Sequence, residues 1–448
     1  MANRIGIRRE DMYAWERRTP LVPQDAHELV RQKGIDLVVQ SASKRIFTDE
    51  EYRDAGIPVL EELSSCPIIV GIKEVPIPVL ESGKVYVFFS HTIKGQRHNM
   101  PMLKRLLELD CTLIDYERVT DEAGRRLIFF GNYAGFAGMI DTLWALGKRL
   151  AWEGTPNPFN EVKRALDYPN LEAAKAAIHA VGTRIAEEGL PSTTDPFVVG
   201  FAGYGNVSRG AQEIFDLLPV REITPKALSS LRTEQGVSHR DHVVYKVVFK
   251  EHDMVERIDS SRPFDLEEYY RHPERYRGVF ERYLPHLTVL LNCIYWEPIY
   301  PRLVTKPTIK EMYRIGRPSL KVIGDISCDV NGAIACTVKA TEPDNPVYVY
   351  DPRSDRAVDG IKGDGPVILA VEILPSELPR EASSYFSRVL KGYLPAIAEA
   401  DFRGGFETCH LPSPLKKAVI AYRGELTFDY RYIERFLDAN PGKKGATP

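Results

Sequence analysis

The sequence lacks the features that mark membrane, secreted and zinc-binding proteins. No apolar run is long enough to span a bilayer, and the six cysteines are scattered without a Cys-x-x-Cys pair. The opening residues, Met1 to Glu10, are charged and contain no apolar stretch of the signal-peptide kind. We therefore expect a cytoplasmic protein with reduced core thiols, no metal and no membrane association.

An excess of charge is also missing. The chain has 59 Lys and Arg against 62 Asp and Glu, a formal net charge of -3, so no basic field for nucleic acid is expected. It contains no internal repeat, no Walker-type loop and no Ser/His/Asp spacing. Its 448 residues, 44% of them hydrophobic, are typical of a soluble protein of about two or three domains.

What the sequence does contain is an alternation of short apolar runs with amphipathic stretches. In the first third, strands are predicted at residues 5–8, 37–39, 68–70, 85–89 and 112–114, and helices near 23–34, 49–55 and 100–109. A second series begins at Phe197 and includes strands at 243–249, 289–292 and 320–326. The pattern predicts an α/β protein with two Rossmann-like, doubly wound parallel-sheet domains flanking a cleft.

A glycine turn between a strand and a helix pattern begins the second series. The apolar run from Phe197 ends at Gly203-Tyr-Gly205, and an amphipathic stretch follows. In this context a dinucleotide pyrophosphate rests on the helix N-terminus, so we predict nucleotide contacts from the turn residues Gly203, Gly205, Asn206, Val207 and Ser208. Ser208 replaces the third glycine of the usual fingerprint, and an ordinary glycine-rich turn is the alternative.

Charged groups follow three predicted strands of the first series. Ligands of doubly wound sheets bind at the carboxyl ends of the strands, where these groups can converge. They are Lys73 after the 68–70 strand, His91 and Lys94 after the 85–89 strand, and Asp115 and Glu117 after the 112–114 strand. Together they can hold a substrate and move protons. Each taken alone is more ordinarily a solvated or hydrogen-bonding residue.

Further candidate site residues each have an ordinary structural explanation as an alternative. Arg18 and Arg126, the latter entering a predicted strand at 127–130, can clamp a carboxylate, although surface arginines are common. Asn292, Asp325 and Asp329 end strands of the second series and can face the nicotinamide or simply cap backbone groups. The glycines between residues 131 and 138 are expected mainly to permit close helix packing.

Longer motifs resemble a known family. Trp15-Glu-Arg-Arg-Thr-Pro-Leu21, Gly71-Ile-Lys-Glu74, Phe89-Ser-His-Thr-Ile-Lys94, Gly203-Tyr-Gly-Asn-Val-Ser208 and Gly324-Asp-Ile-Ser-Cys-Asp329 are similar to the lysine-ketoglutarate reductase portion of bifunctional aminoadipic semialdehyde synthases. Tyr422-Arg-Gly-Glu-Leu-Thr427 resembles the end of the plant reductase. A more distant resemblance is to fungal saccharopine dehydrogenase and to the alanine dehydrogenase and transhydrogenase superfamily.

The resemblance implies a reaction in which L-lysine, 2-oxoglutarate and NADPH give saccharopine and NADP. It also implies roles by residue: Lys73 and His91 as the acid–base pair, Glu74 and Glu117 as carboxylates that tune it, Arg18, Lys94 and Arg126 as groups that hold substrate carboxylates, and Asp329 near the reacting centre. The expectation is either that the product passes to a separate, glutamate-forming saccharopine dehydrogenase or that the reaction runs in reverse.

Coenzyme choice is ambiguous from the residues alone. Arg221 in the next predicted strand suits the 2′-phosphate of NADP, whereas Glu222 beside it suits a ribose hydroxyl of NAD. Asn292 and Asp325 are further candidates for contacting the nucleotide. Only the resemblance favours NADPH, and NADH remains open.

The expected domains are a substrate domain of residues 1–135 plus about 346–448, and a nucleotide domain of residues 136–345. Residues 442–448 are predicted to be frayed. Two other functions stay open: an NAD-linked saccharopine, amino-acid or opine dehydrogenase of the same fold, and a nucleotide-binding sensor without catalysis.

Overall fold

The computed structural model describes residues 3–191, 196–234, 242–316 and 318–437. The chain forms two compact units, one of Met1–Phe130 with Pro379–Pro448 and the other of Gly131–Leu378. The terminal segment predicted to be frayed lies outside the described residues.

Strands are short and mostly buried. In chain order they are β1 (Ile5–Ile7), β2 (Leu37–Gln40), β3 (Val59–Leu60), β4 (Ile68–Val70), β5 (Val85–Phe88), β6 (Thr112–Asp115), β7 (Val198–Ala202), β8 (Val220–Glu222), β9 (Val244–Phe249), β10 (Val255–Arg257), β11 (Tyr276–Gly278), β12 (Val289–Asn292), β13 (Val322–Asp325), β14 (Val347–Asp351), β15 (Arg356–Asp359), β16 (Val367–Leu369), β17 (Val419–Tyr422) and β18 (Glu425–Leu426).

Helices connect most of them. They are α1 (Pro23–Lys33), α2 (Asp49–Asp54), α3 (Met100–Glu108), α4 (Gly131–Trp152), α5 (Leu171–Glu188), α6 (Asn206–Phe215), α7 (Leu228–Glu234), α8 (Glu251–Met254), α9 (Leu266–Arg271), α10 (Lys306–Ile315), α11 (Pro379–Leu390), α12 (Leu394–Glu399), α13 (Ser413–Lys416) and α14 (Glu434–Leu437). Helix α1 shows how local sequence sets such bounds, because proline opens it and Gly34, with φ 64°, ends it.

The first unit contains an eight-stranded sheet in the order β18-β17-β6-β5-β4-β1-β2-β3. Strands β1 to β6 are parallel, and the C-terminal segment adds β17 and β18 antiparallel beyond β6. Most of the parallel strands are buried on both faces, which explains their continuous apolar runs.

The second unit contains another eight-stranded sheet, in the order β15-β14-β16-β13-β12-β7-β9-β8. It is parallel except for β14 and β15, while β10 and β11 form a separate antiparallel pair. The predicted class is confirmed, with mixed rather than purely parallel sheets. Because β14 to β16 pair in this sheet, the second unit runs to Leu378 and not to the predicted residue 345.

Glycines bring α4 against α6. A Cβ on Gly135 would lie 2.1 Å from the carbonyl oxygen of Val207, and one on Gly210 would lie 2.2 Å from that of Asn132. Backbone therefore meets backbone at this crossing. The prediction that the glycines near the start of α4 serve packing is confirmed.

Other expectations meet mixed outcomes. All six cysteines are free thiols, as predicted. The strand predicted at 127–130 does not form, since only Arg126 makes an isolated bridge, to Thr120. Within the described ranges, helices fall short of the length and apolar character that a membrane span needs.

Candidate active site

Lys73 and His91 follow neighbouring strands of the first unit. Strands β4 and β5 pair in parallel register, and the pairing continues past their ends, where Phe89 N–H donates to the carbonyl of Ile72 at 2.9 Å. Lys73 comes one residue after that contact and His91 two residues after it. The register of the sheet therefore brings both residues to one edge.

A buried carboxylate holds the histidine. Glu74, only 4% exposed, lies 2.6 Å through Oε1 from Nδ1 of His91, and the amide of Asn99 donates to the same oxygen at 3.4 Å. Burial acts to raise the pKa of Glu74, but His91 and Lys73 outweigh it and lower that pKa. Glu74 is therefore ionised at neutral pH. Since Nδ1 is engaged, Nε2 is the ring nitrogen available to a substrate.

The backbone at His91 is unusual as well. Its φ of 48° lies in the left-handed region, which a non-glycine residue rarely adopts, and its ring stacks on Phe89 at 6.2 Å between centroids. Such strain persists where the surroundings enforce it, and it is frequent at functional sites.

Glu10 was missed by the sequence analysis. Its buried carboxylate accepts the backbone N–H groups of Ile72 at 2.7 Å and of Lys73 at 3.0 Å, fixing the start of the loop that carries the lysine. Burial raises the pKa of Glu10 to about 7. The sequence did contain a signal for Glu10. It follows strand β1, which pairs with β4, so it is expected at the same sheet edge as Lys73.

Arg18 is held by a partner of its own. Its Nε donates to Oε1 of Glu16 at 2.7 Å and its Nη2 to Oε2 at 2.5 Å, and both side chains are buried. The guanidinium also lies 4.3 Å from the ring centre of Phe130. Burial acts to raise the pKa of Glu16, but Arg18 and Lys73 outweigh it and lower that pKa. A substrate carboxylate would therefore meet a rigid, charge-balanced pair.

The end of β6 and the helical turn after it supply two acidic groups. Asp115, fully buried, accepts the backbone N–H of Glu117 at 2.8 Å and the hydroxyl of Ser90, while burial and the charge of Glu117 raise its pKa to about 6. Glu117 accepts from Nη2 of Arg126 at 3.2 Å. Arg126 and Lys94 are exposed cations, unlike Arg18.

In the second unit the glycine turn has the form that a pyrophosphate requires. Gly203 has φ 95°, and a Cβ there would meet Ile294 at 3.0 Å. A Cβ on Gly205 would meet nothing within 4 Å, and no side chain caps α6, which begins at Asn206. A cavity of about 470 Å³ adjoins the turn. Open N–H groups at a ten-residue helix beside a cavity fit the phosphates of a dinucleotide.

The other residues predicted to bind the nucleotide have partners within the chain. Asn292 Nδ2 donates to Asp325 at 2.7 Å, and burial raises the pKa of Asp325 to about 6. Ser208 is buried and accepts from Gln212 at 2.9 Å. Asn292, Asp325 and Ser208 are therefore engaged in hydrogen bonds that also serve the fold.

Asp329 and Arg221 are exposed. Arg221 lies on β8, and its guanidinium is 5.8 Å from the ring centre of Tyr245. It is not among the residues that line the cavity at the glycine turn. In the part of the chain that the structure describes, no group of acidic, histidine or cysteine side chains has the arrangement of a metal site.

Two Rossmann-like units, a glycine turn and a Lys/His/Glu group define the class as a dehydrogenase-type α/β protein. The chain has the fold of L-alanine dehydrogenase, with a TM-score of 0.61 and 17% identity over 97% of this chain and 99% of that one. It also matches a transhydrogenase from Sinorhizobium meliloti, with a TM-score of 0.55 and 14% identity over 95% and 100% of the two chains. Residues 6–137 match the family model "Alanine dehydrogenase/PNT, N-terminal domain".

Sequence relatives narrow the class. The chain is 41% identical to alpha-aminoadipic semialdehyde synthase of Arabidopsis thaliana over 98% of its length, and 34% identical to the mitochondrial synthase of Mus musculus over 97%. It spans 42% and 48% of those relatives. It is 26% identical to saccharopine dehydrogenase [NAD(+), L-lysine-forming] of Emericella nidulans, over 87% of this chain and 90% of that one. These synthases and dehydrogenases are homologues of the chain, so the resemblance stated from the motifs is confirmed.

Proposed function

We propose that this chain is an oxidoreductase that condenses L-lysine with 2-oxoglutarate and reduces the imine to saccharopine, or runs that reaction in reverse. The observation that carries the proposal is the group beyond β4 and β5, where Lys73 follows one strand and the Glu74–His91 pair joins it to the next. Homology to the synthases over nearly the whole chain, and to a fungal saccharopine dehydrogenase named as L-lysine-forming, supports a reaction of this kind.

Lys73 and His91 are the proposed acid and base. The ε-amine of lysine must be neutral to attack the keto carbon, so a base removes its proton. Collapse of the carbinolamine then needs an acid that protonates the departing hydroxyl. Glu74 holds His91 in one orientation and fixes its tautomer, which leaves Nε2 to exchange protons.

The remaining first-unit residues are proposed to bind and orient. Saccharopine carries three carboxylates, and Lys94 and Arg126 are exposed cations that suit them. Arg18, already paired with Glu16, is proposed to direct a remaining N–H toward a substrate oxygen without adding net charge. Glu117 is proposed to orient Arg126 through their hydrogen bond.

In the second unit, the turn at Gly203 and Gly205 and the first turn of α6 are proposed to hold the pyrophosphate of a pyridine nucleotide. When bound, the nucleotide supplies the hydride that reduces the imine carbon. The resemblance implies NADPH, whereas the fungal relative carries NAD(+) in its name, so both coenzymes are assayed.

The test mixes purified protein with L-lysine, 2-oxoglutarate and either NADPH or NADH. Absorbance of the reduced nicotinamide is followed, each substrate is omitted in turn, and saccharopine is identified by mass spectrometry. Coenzyme oxidation that needs both substrates and yields saccharopine supports the proposal. Absence of saccharopine with either coenzyme contradicts it.

Two variants test the acid–base pair. Lys73→Met and His91→Gln are each expected to lower turnover by roughly 10²-fold or more while nucleotide affinity is kept. Lys104→Met and His98→Gln are matched controls, because both side chains are exposed and lie on or just before α3. If the first two variants turned over at the control rates, the assignment of the pair would be wrong.

A further inference from the structure

The strand beside the glycine turn is β9, not β8. The sheet order places β9 between β7 and β8, and Gly203 N–H donates to the carbonyl of Phe249, the last residue of β9, at 3.0 Å. In Rossmann-like units, the strand next to the first one ends at the adenosine ribose. Here that strand end is followed directly by Lys250 and Glu251.

Glu251 is held beside the turn by two tyrosines. The hydroxyl of Tyr204, the residue between the two glycines, lies 3.2 Å from Oε2, and that of Tyr270 lies 2.7 Å from Oε1. Glu251, Gly203 and Gly205 line the same cavity. A half-buried carboxylate with a defined orientation therefore lies next to the proposed phosphate site.

Two cations near this carboxylate, Arg302 and Lys250, differ in their surroundings. Arg302, which also lines the cavity, donates to the carbonyls of Asn331 and Gly332 and stacks on Trp296 at 4.8 Å. Lys250 is exposed, with its Nζ 5.9 Å from the ring centre of Tyr204. Lys250 is the rival group, because its exposed ammonium directly precedes Glu251 in the chain and would attract a 2′-phosphate.

We propose that Glu251 selects the coenzyme by accepting the ribose hydroxyls of NAD(H) and opposing the 2′-phosphate of NADP(H). A carboxylate accepts two hydrogen bonds from a vicinal diol, whereas a phosphate in the same place brings like charges together. The inference rests on the nucleotide-binding part of the proposed function and not on its amino-acid substrates. It runs against the NADPH preference that the family resemblance implies.

Equilibrium binding tests this without turnover. The full chain is titrated with NADH and with NADPH, following nicotinamide fluorescence, and the adenosine end is probed separately by competition with 5′-AMP and 2′,5′-ADP. NADH is expected to bind more tightly than NADPH, by on the order of tenfold or more, and 5′-AMP to compete better than 2′,5′-ADP. Equal affinity, tighter NADPH binding, or no binding of either nucleotide overturns the inference.

Variants separate charge from structure. Glu251→Gln is expected to reduce the difference in affinity between NADH and NADPH. Glu251→Arg is expected to reduce that difference or to reverse the preference. Tyr270→Phe keeps the charge of the carboxylate but removes one hydrogen bond that orients it, so it should reduce the NADH preference less than Glu251→Gln does. Glu267→Arg, at an exposed glutamate on nearby α9, is the matched control and should leave the preference unchanged. An unchanged ratio in Glu251→Gln, or a loss of preference only in Lys250→Met, would refute the assignment. Absence of lysine-dependent turnover with the binding preference intact would count against the proposed reaction alone.

Discussion

A buried pair of carboxyl groups in the second unit makes stability depend on pH. Asp141 on α4 is fully buried and accepts the backbone N–H of Ala165 at 2.7 Å, and its carboxyl interacts with that of Glu377, which is 4% exposed. Burial raises the pKa of Asp141 to about 6, and burial together with the charge of Asp141 raises the pKa of Glu377 well above its ordinary value. The perturbation that tests this is Asp141→Asn, which keeps the oxygen that faces Ala165.

The direction in which stability changes with pH follows from the raised pKa of Asp141. A carboxyl that holds its proton more tightly when folded adds stability that is fully present below the unfolded pKa of 3.8 and lost as pH rises through about 6. A rise from 3.8 to about 6 corresponds to about 3 kcal/mol. The neutral amide of Asp141→Asn carries no such pH dependence. The variant should therefore gain about 3 kcal/mol over the wild type between about pH 3.5 and about pH 8.

Thermal unfolding followed by circular dichroism at about pH 3.5, below the unfolded pKa, and at about pH 8 measures the effect. For a unit of this size, the gain corresponds to a rise of roughly 6–12 °C in Tm relative to the wild type at the higher pH. Asp364→Asn is the control, because its side chain is 63% exposed and should show no such difference. If the Tm difference between Asp141→Asn and the wild type were the same at both pH values, the reasoning would be refuted.

Two glycine substitutions separate folding from nucleotide binding. Gly135→Ala places a methyl group 2.1 Å from the Val207 carbonyl oxygen, so it should lower the free energy of unfolding by about 1–3 kcal/mol. Denaturant unfolding measures this change. Gly316→Ala, with open space around it, is the control and should show no such loss. Gly205→Ala meets nothing within 4 Å, so its Tm should be unchanged while the added methyl group weakens binding of both nucleotides. Loss of stability in Gly205→Ala, or unchanged nucleotide affinity, would contradict the assignment of that turn.

Much of the fold is visible in the sequence because its elements are locally encoded. The run Val85–Phe88 is apolar throughout because the strand is buried on both faces, and Pro23 and Gly34 bound α1 through their backbone preferences. Parallel register then brings Lys73 and His91 to one sheet edge, so strand-end positions alone suffice to group them. The roles of these residues remain predictions.

Partners within the site are less visible, because they depend on burial. Arg18 has the sequence context of a surface clamp, yet both it and Glu16, two residues earlier, are buried, and Glu16 accepts two of its N–H groups. Glu10 lies in a charged stretch whose composition predicts solvent exposure. Its carboxylate is instead buried and accepts a hydrogen bond from the backbone N–H of Lys73. Nothing in the spacing of these residues distinguishes a buried ion pair from an exposed one.

The coenzyme site shows where a fixed sequence offset fails. The acidic residue that contacts the ribose is sought about 20 positions after the fingerprint, on the assumption that the next strand in the chain is also the neighbour in the sheet. Here the next strand in the chain, β8, lies at the edge of the sheet. Its acidic residue, Glu222, forms an ion pair at 3.2 Å with Lys246 on the neighbouring strand β9. The neighbouring strand arrives later, and Glu251 follows Gly203 by 48 positions. If Glu251 selects the coenzyme as proposed, the selecting residue is set by strand order, which local sequence does not encode, and a preference for NADH would be the direct consequence of that order.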